Sequence, residues 1–154
     1  MNKRIQQLKA LSLEEWWLLL VVMVLLPVVA ISLRMRGFKH TQNSIRRFIP
    51  DISNLREPGE IEMEKARIIA RMVTVAAGHG AYRANCLKQS LVIWWLLGRR
   101  RIKSQIVFGV PKEAVENFNA HAWVECNGIN LSDSNEVQQK FTSFTRSKEL
   151  STED

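Results

Sequence analysis

Eighteen consecutive residues without a charge, Trp16 to Leu33, constrain this chain more than any other feature. They follow Ser12-Leu13-Glu14-Glu15, a capping box that starts a helix near Leu13, and they end at Arg34 and Arg36. A run of that length is at the lower limit for crossing a bilayer, and Trp16-Trp17 resemble an interfacial anchor. Pro27 is expected to kink the helix, which membrane helices tolerate better than isolated soluble ones. Lys3, Arg4 and Lys9 precede the run and Arg34, Arg36 and Lys39 follow it, so the positive-inside rule assigns no orientation. No small-residue cleavage site follows, and a cleavable signal peptide is not expected. Two placements stay open: residues 16–33 in a membrane, or a helix buried against the domain or a partner protein.

With 154 residues there is room for one domain, or for one core with an appendage. The apolar share of 46% and charged share of 24% are those of a globular protein. The net charge of +7 is spread along the chain, with clusters at Arg46-Arg47 and Arg99-Arg100-Arg101. No basic run interleaves with aromatics and no zinc-finger or RNP-type spacing occurs, so a nucleic-acid partner is not expected. The basic surface suits an anionic membrane face or an acidic peptide equally well. Two cysteines, Cys86 and Cys126, make neither a disulfide framework nor the paired spacing of a structural zinc site. A reducing, cytoplasmic setting with a free thiol is the natural expectation, the inner membrane face being the alternative if residues 16–33 anchor the chain.

Residues 37–49 read as a short basic amphipathic helix with Phe38, Ile45, Phe48 and Ile49 on its apolar side, and 50–59 as a loop. From Ile61 to Ala77, the positions Ile61, Met63, Ala66, Ile69, Ala70, Met72, Val73 and Ala76 recur at helical spacing. Gly78-His79-Gly80 stops that helix. A second apolar helix runs from Cys86 to Leu97, ended by Gly98 and the arginines after it. The period then changes to that of strands: Gln105–Val110 stopped at Pro111, Ala120–Glu125, and Ile129–Asp133. Beyond Ser134 the chain is polar, with Phe141 and Phe144 its only aromatic residues. Helices followed by antiparallel strands indicate an α+β core. The expected division is an N-terminal hydrophobic and basic helical appendage at 1–58, a core at 59–146 and a flexible tail at 147–154.

Cys86 stands at a helix start, where unpaired N–H groups and the positive end of the helix dipole favour a thiolate. The same N–H groups can stabilise an oxyanion on an attacked carbonyl. His121, in Ala120-His-Ala-Trp-Val-Glu125, supplies a base. The hairpin register decides whether Asp133 can orient it. A two-residue Asn127-Gly128 turn pairs Cys126 with Ile129 and sets Ala122 opposite Asp133. A three-residue turn, Cys126-Asn127-Gly128, pairs Glu125 with Ile129 and sets His121 opposite Asp133. The second register makes a triad and is the one expected here. Trp94, Trp95 and Trp123 are expected to pack, with Trp123 the one that can line a substrate groove. His40 and His79 read as a solvated residue and a turn residue, and Cys126 as incidental. No metal site is expected from three such residues without a stronger local motif, and no glycine loop for phosphate is present, so no cofactor is implied.

A cysteine on a helix start, with base and orienter on later strands, follows the logic of papain-like and transglutaminase-like enzymes. More closely, Asn85-Cys-Leu-Lys-Gln-Ser-Leu-Val-Ile-Trp-Trp-Leu-Leu97, Ala120-His-Ala-Trp-Val-Glu125 and Leu131-Ser-Asp133 resemble the transglutaminase-like leader peptidases of lasso-peptide biosynthesis. The likeness covers about Ile61 to Asp133, and the apolar N-terminal helix also looks like that family's. It implies a transglutaminase/papain-like cysteine peptidase fold, with helices packed on a small antiparallel sheet, that removes the leader from a ribosomally made precursor peptide. Cys86 would be the nucleophile, His121 general base and then acid, and Asp133 the orienting residue. The N-terminal segment is too short and too hydrophobic for the fused leader-recognition domain of some members. The resemblance therefore implies a stand-alone protease half working with a separate leader-recognition protein and an ATP-dependent lasso cyclase. A transglutaminase-type acyltransferase and a catalytically inactive membrane-associated binding partner are the competing readings.

Overall fold

Ser12 caps the first helix as its spacing predicts: its Oγ accepts from the Glu15 N–H at 3.3 Å, and Glu15 Oε2 accepts from the Ser12 N–H at 2.8 Å. A computed structural model describes residues 12–49, 55–79, 85–111, 121–131 and 141–146. Within them lie α1 (Leu13–Arg47), α2 (Glu60–His79) and α3 (Cys86–Arg99), then β1 (Gln105–Pro111), β2 (His121–Cys126), β3 (Ile129–Asn130) and β4 (Phe141–Arg146).

Pro27 keeps helical dihedrals within α1. The break falls at Gly37, with φ 75° and ψ 176°, a backbone state that costs an L-residue steric strain. The Thr41 hydroxyl donates to the Gly37 carbonyl at 2.8 Å, and the Ser32 and Thr41 hydroxyl oxygens lie 3.0 Å apart. Nine residues of straight helix would separate Ser32 and Thr41 by about 13 Å along the axis, so the chain turns sharply here. After the turn, Phe38 and Ile45 pack on the core as expected, whereas Phe48 is exposed.

One apolar cluster unites the helices. Leu18, Leu19, Val22, Leu26 and Val29 of α1 meet Met63, Ala66, Ile69, Met72 and Val73 of α2 and Leu91, Val92, Leu96 and Leu97 of α3. The segment set apart by composition thus shares its buried surface with the rest of the fold. Ile61, at the start of α2, points to solvent instead. Gly98 is buried because Ile49 crosses it: a Cβ there would meet three Ile49 side-chain atoms at 2.8–2.9 Å. This approach ties the chain after α1 to the C-terminal end of α3.

The sheet order is β3-β2-β1-β4, and each neighbouring pair is antiparallel. Ile106, Val124 and Cys126 face the helices and join their cluster. β4, which its polar composition hid, pairs with β1 through Pro111 and Phe141, with a register shift between Phe108 and Gly109.

The hairpin corrects the expected register. Cys126 pairs with Ile129 and Glu125 with Asn130, and the Leu131 N–H donates to the Val124 carbonyl at 3.0 Å. Asn127 (φ 49°) and Gly128 (φ 74°) form the two-residue turn. Positive φ at both positions is what a type I′ turn needs, and Asn-Gly is the pair that supplies it most cheaply. Its twist matches that of the strands, and that match outweighs the triad geometry that favoured the longer turn. Cys126 accordingly ends β2 in the core and is not part of the turn.

Candidate active site

Asn85 sets the start of α3. Its backbone is extended (φ −73°, ψ 170°) and its side-chain oxygen accepts from the Lys88 N–H at 3.3 Å, an N-cap arrangement. Cys86 is therefore the first helical residue, beside N–H groups that no helical carbonyl can satisfy. α3 lies against β2, which brings this helix start to His121, the first residue of the strand.

The half-buried Cys86 thiol is hydrogen-bonded to the His121 side chain and to the backbone N–H groups of Ala122 and Leu87. Burial pushes its pKa up, as the largest single influence. The His121 hydrogen bond, the Ala122 N–H, the charge of His121 and the Leu87 N–H together outweigh it, and the pKa falls below 9.0. Cys126 behaves oppositely: burial, helped by the nearby charge of Glu57, pushes it up to about 12. Two thiols in one small core thus carry opposite chemistry, because only one has donors aimed at it.

Alternation along β2 places His121, Trp123 and Glu125 on the sheet face opposite to Val124 and Cys126. The His121 and Trp123 rings are stacked with centroids 6.1 Å apart and an interplanar angle of 25°. The Trp123 Nε1–H donates to Glu125 Oε1 at 2.9 Å, and Gln105 Nε2 donates to the other carboxyl oxygen at 3.4 Å. Trp123 and Glu125 are both buried. Across the ladder Gly109 opposes His121, so the cross-strand residue adds no side chain beside the imidazole. The shift in register beside Gly109 is the kind of irregularity that re-aims groups near a site.

The structure therefore brings Cys86 and His121 together. Asp133 lies outside the described residues, and the register that tied it to His121 is not the one found. Trp123 is buried and stacks on the imidazole. Glu125 was missed as a site residue, although the period-2 spacing of His121, Trp123 and Glu125 was already the signal. Among the described residues, no group of three or more His, Cys, Asp or Glu side chains could hold a metal ion.

A thiolate with a hydrogen-bonded imidazole and helix-start N–H groups can attack an acyl carbon and hold the oxyanion that forms. Residues 25–146 match the model of the transglutaminase-like superfamily, a span that begins within α1 and ends with β4. Searches of curated proteins and of solved structures returned no match.

Proposed function

Because the chain belongs to the transglutaminase-like superfamily, we propose that it is a cysteine peptidase that removes the leader from a lasso-peptide precursor. The observation that carries a thiol hydrolase is the Cys86 side chain, held by His121 and two backbone N–H groups with its pKa lowered. The Cys86 thiolate attacks the scissile carbonyl carbon, and helix-start N–H groups stabilise the oxyanion. As the C–N bond breaks, the His121 imidazolium gives its proton to the departing amine, leaving a thioester on Cys86. His121 then takes a proton from water, whose oxygen attacks the thioester. The acid leaves and the thiolate–imidazolium pair is restored. The orienting role of Asp133 rests in this scheme on the likeness of Leu131-Ser-Asp133 alone, since the observed register does not set it opposite His121.

The leader as substrate is supported by the likeness of Asn85–Leu97 and Ala120–Glu125 to the lasso leader peptidases. That likeness also supplies the partners: a separate leader-recognition protein delivers the precursor, and an ATP-dependent cyclase closes the macrolactam. The test is precursor processing by the full chain with its leader-recognition protein, followed by intact-mass spectrometry. Wild type should release free leader and core, and Cys86→Ala neither. Unchanged cleavage by Cys86→Ala would exclude the thiol mechanism. A product carrying an added amine in place of water would assign transglutaminase-type acyl transfer instead.

A further inference from the structure

The outer face of α1 has no counterpart in the core. Trp17, Leu20, Val24, Val28, Ile31 and Met35 follow one another at three- or four-residue intervals and are 54–78% exposed. They lie opposite the face formed by Leu18, Val22, Leu26 and Val29, which is buried in the domain. The stripe extends from Leu13, 90% exposed, to Met35, about 33 Å at 1.5 Å per residue. A soluble monomer rarely leaves a continuous apolar face of that length uncovered.

Charge and shape identify what covers it. Met35 ends the stripe and also lines an open recess of about 750 Å³ beside the Gly37 bend, with Arg36, His40, Asn43, Ser44 and Arg47. The apolar stripe thus runs directly into a hollow lined by Arg36, His40 and Arg47, chemistry that suits phosphate headgroups. Trp16 and Trp17 stand at the other end, where indoles favour the membrane–water boundary. A net charge of +7 favours an anionic surface and disfavours a second copy of the same chain.

A transbilayer placement conflicts with the packing. The inner face of α1 is packed against α2, whose Glu64, Lys65, Arg67 and Arg71 are exposed. Burying α1 across a bilayer would carry those charges into hydrocarbon at a cost of several kcal/mol. We propose that α1 lies in the plane of an anionic lipid surface, its outer stripe in the acyl boundary and its basic recess on the headgroups. The protein is then a monotopic enzyme, held by one face of a helix whose other face completes its core.

The test is co-sedimentation of the full-length protein with vesicles of phosphatidylcholine alone or with about one-third phosphatidylglycerol. Binding to the anionic vesicles, weakened by salt, is expected. Val24→Glu with Ile31→Glu should cut it by about tenfold or more without lowering the melting temperature, since both side chains are outside the core. Arg36→Glu with Arg47→Glu should weaken it further than added salt does. A nitroxide on Val24→Cys, in a Cys86→Ala background, should sit about 5–10 Å below the headgroups. A label near the bilayer centre, equal binding to neutral vesicles, or no binding to either would each overturn the proposal. So would stripe variants that convert a dimer to a monomer without any vesicle binding, which would assign the face to self-association.

Discussion

Replacing Trp123 with phenylalanine removes one buried donor and part of a ring, and its cost follows from the geometry around Glu125. The indole N–H donates to Glu125 Oε1 at 2.9 Å, and the glutamate is only 7% exposed, so water cannot readily take the vacated place. Gln105 already serves the other oxygen, at 3.4 Å, the long end of hydrogen-bond range. A buried polar group stripped of its partner costs about 1–3 kcal/mol. The emptied volume adds roughly 1 kcal/mol, for a total of about 2–4 kcal/mol. At about 2–4 °C per kcal/mol for a domain of this length, the midpoint followed by far-UV circular dichroism should drop by roughly 5–15 °C. Glu125→Gln keeps an acceptor oxygen for the indole and should cost less. Because Trp123 also stacks on His121, alkylation of Cys86 should slow in Trp123→Phe even at temperatures where the variant is fully folded. A midpoint change under about 2 °C would refute the reasoning, because it would mean the indole–carboxyl bond is worth little or that water reaches it.

Other substitutions probe the frame that holds the site. Gly98→Ala drives a methyl into Ile49 at 2.8–2.9 Å and should cost about 1–3 kcal/mol in urea unfolding, with activity retained at low temperature. Gly128→Ala places a Cβ at φ 74° with open space around it, so only backbone strain of about 1 kcal/mol is expected from the same measurement. Cys126, buried and with its pKa at about 12, should stay unmodified by iodoacetamide at pH 7–8 in the native protein and react only on unfolding, as peptide mass spectrometry would read.

The helices were the most legible part of the chain. The capping box at Ser12 and Glu15 and the helical spacing from Met63 to Ala76 are local signals, and both elements form where these place them. The break at Gly37 coincides with the separate short helix read from residue 37 onward. Pro27 lacks a donor but keeps helical dihedrals, whereas Gly37 turns the chain and Thr41 fixes the turn. β4 was illegible because Phe141-Thr-Ser-Phe-Thr-Arg146 has no alternation; its conformation comes from pairing with β1, a partner thirty residues away in sequence. At the site, the meeting of Cys86 and His121 depends on α3 lying across β2, which no local pattern encodes. The hairpin failed for a different reason. Asn-Gly favours a two-residue turn, and that preference prevails over both the triad chemistry and the glycine-bulge turn that pointed to three residues.

The proposed chemistry rests on one thiol and its imidazole. The most direct measurement is the pH dependence of Cys86 alkylation by iodoacetamide, read by peptide mass spectrometry in wild type and in His121→Gln. Opposed only by burial, the hydrogen bonds and the His121 charge favour the thiolate, so the wild-type rate should pass its midpoint at a pH below 9.0. His121→Gln removes the charge and the imidazole while burial remains, so its transition should move to higher pH. Superimposable profiles for the two proteins, or a wild-type transition at 9.0 or above, would contradict the activated thiolate on which the account depends.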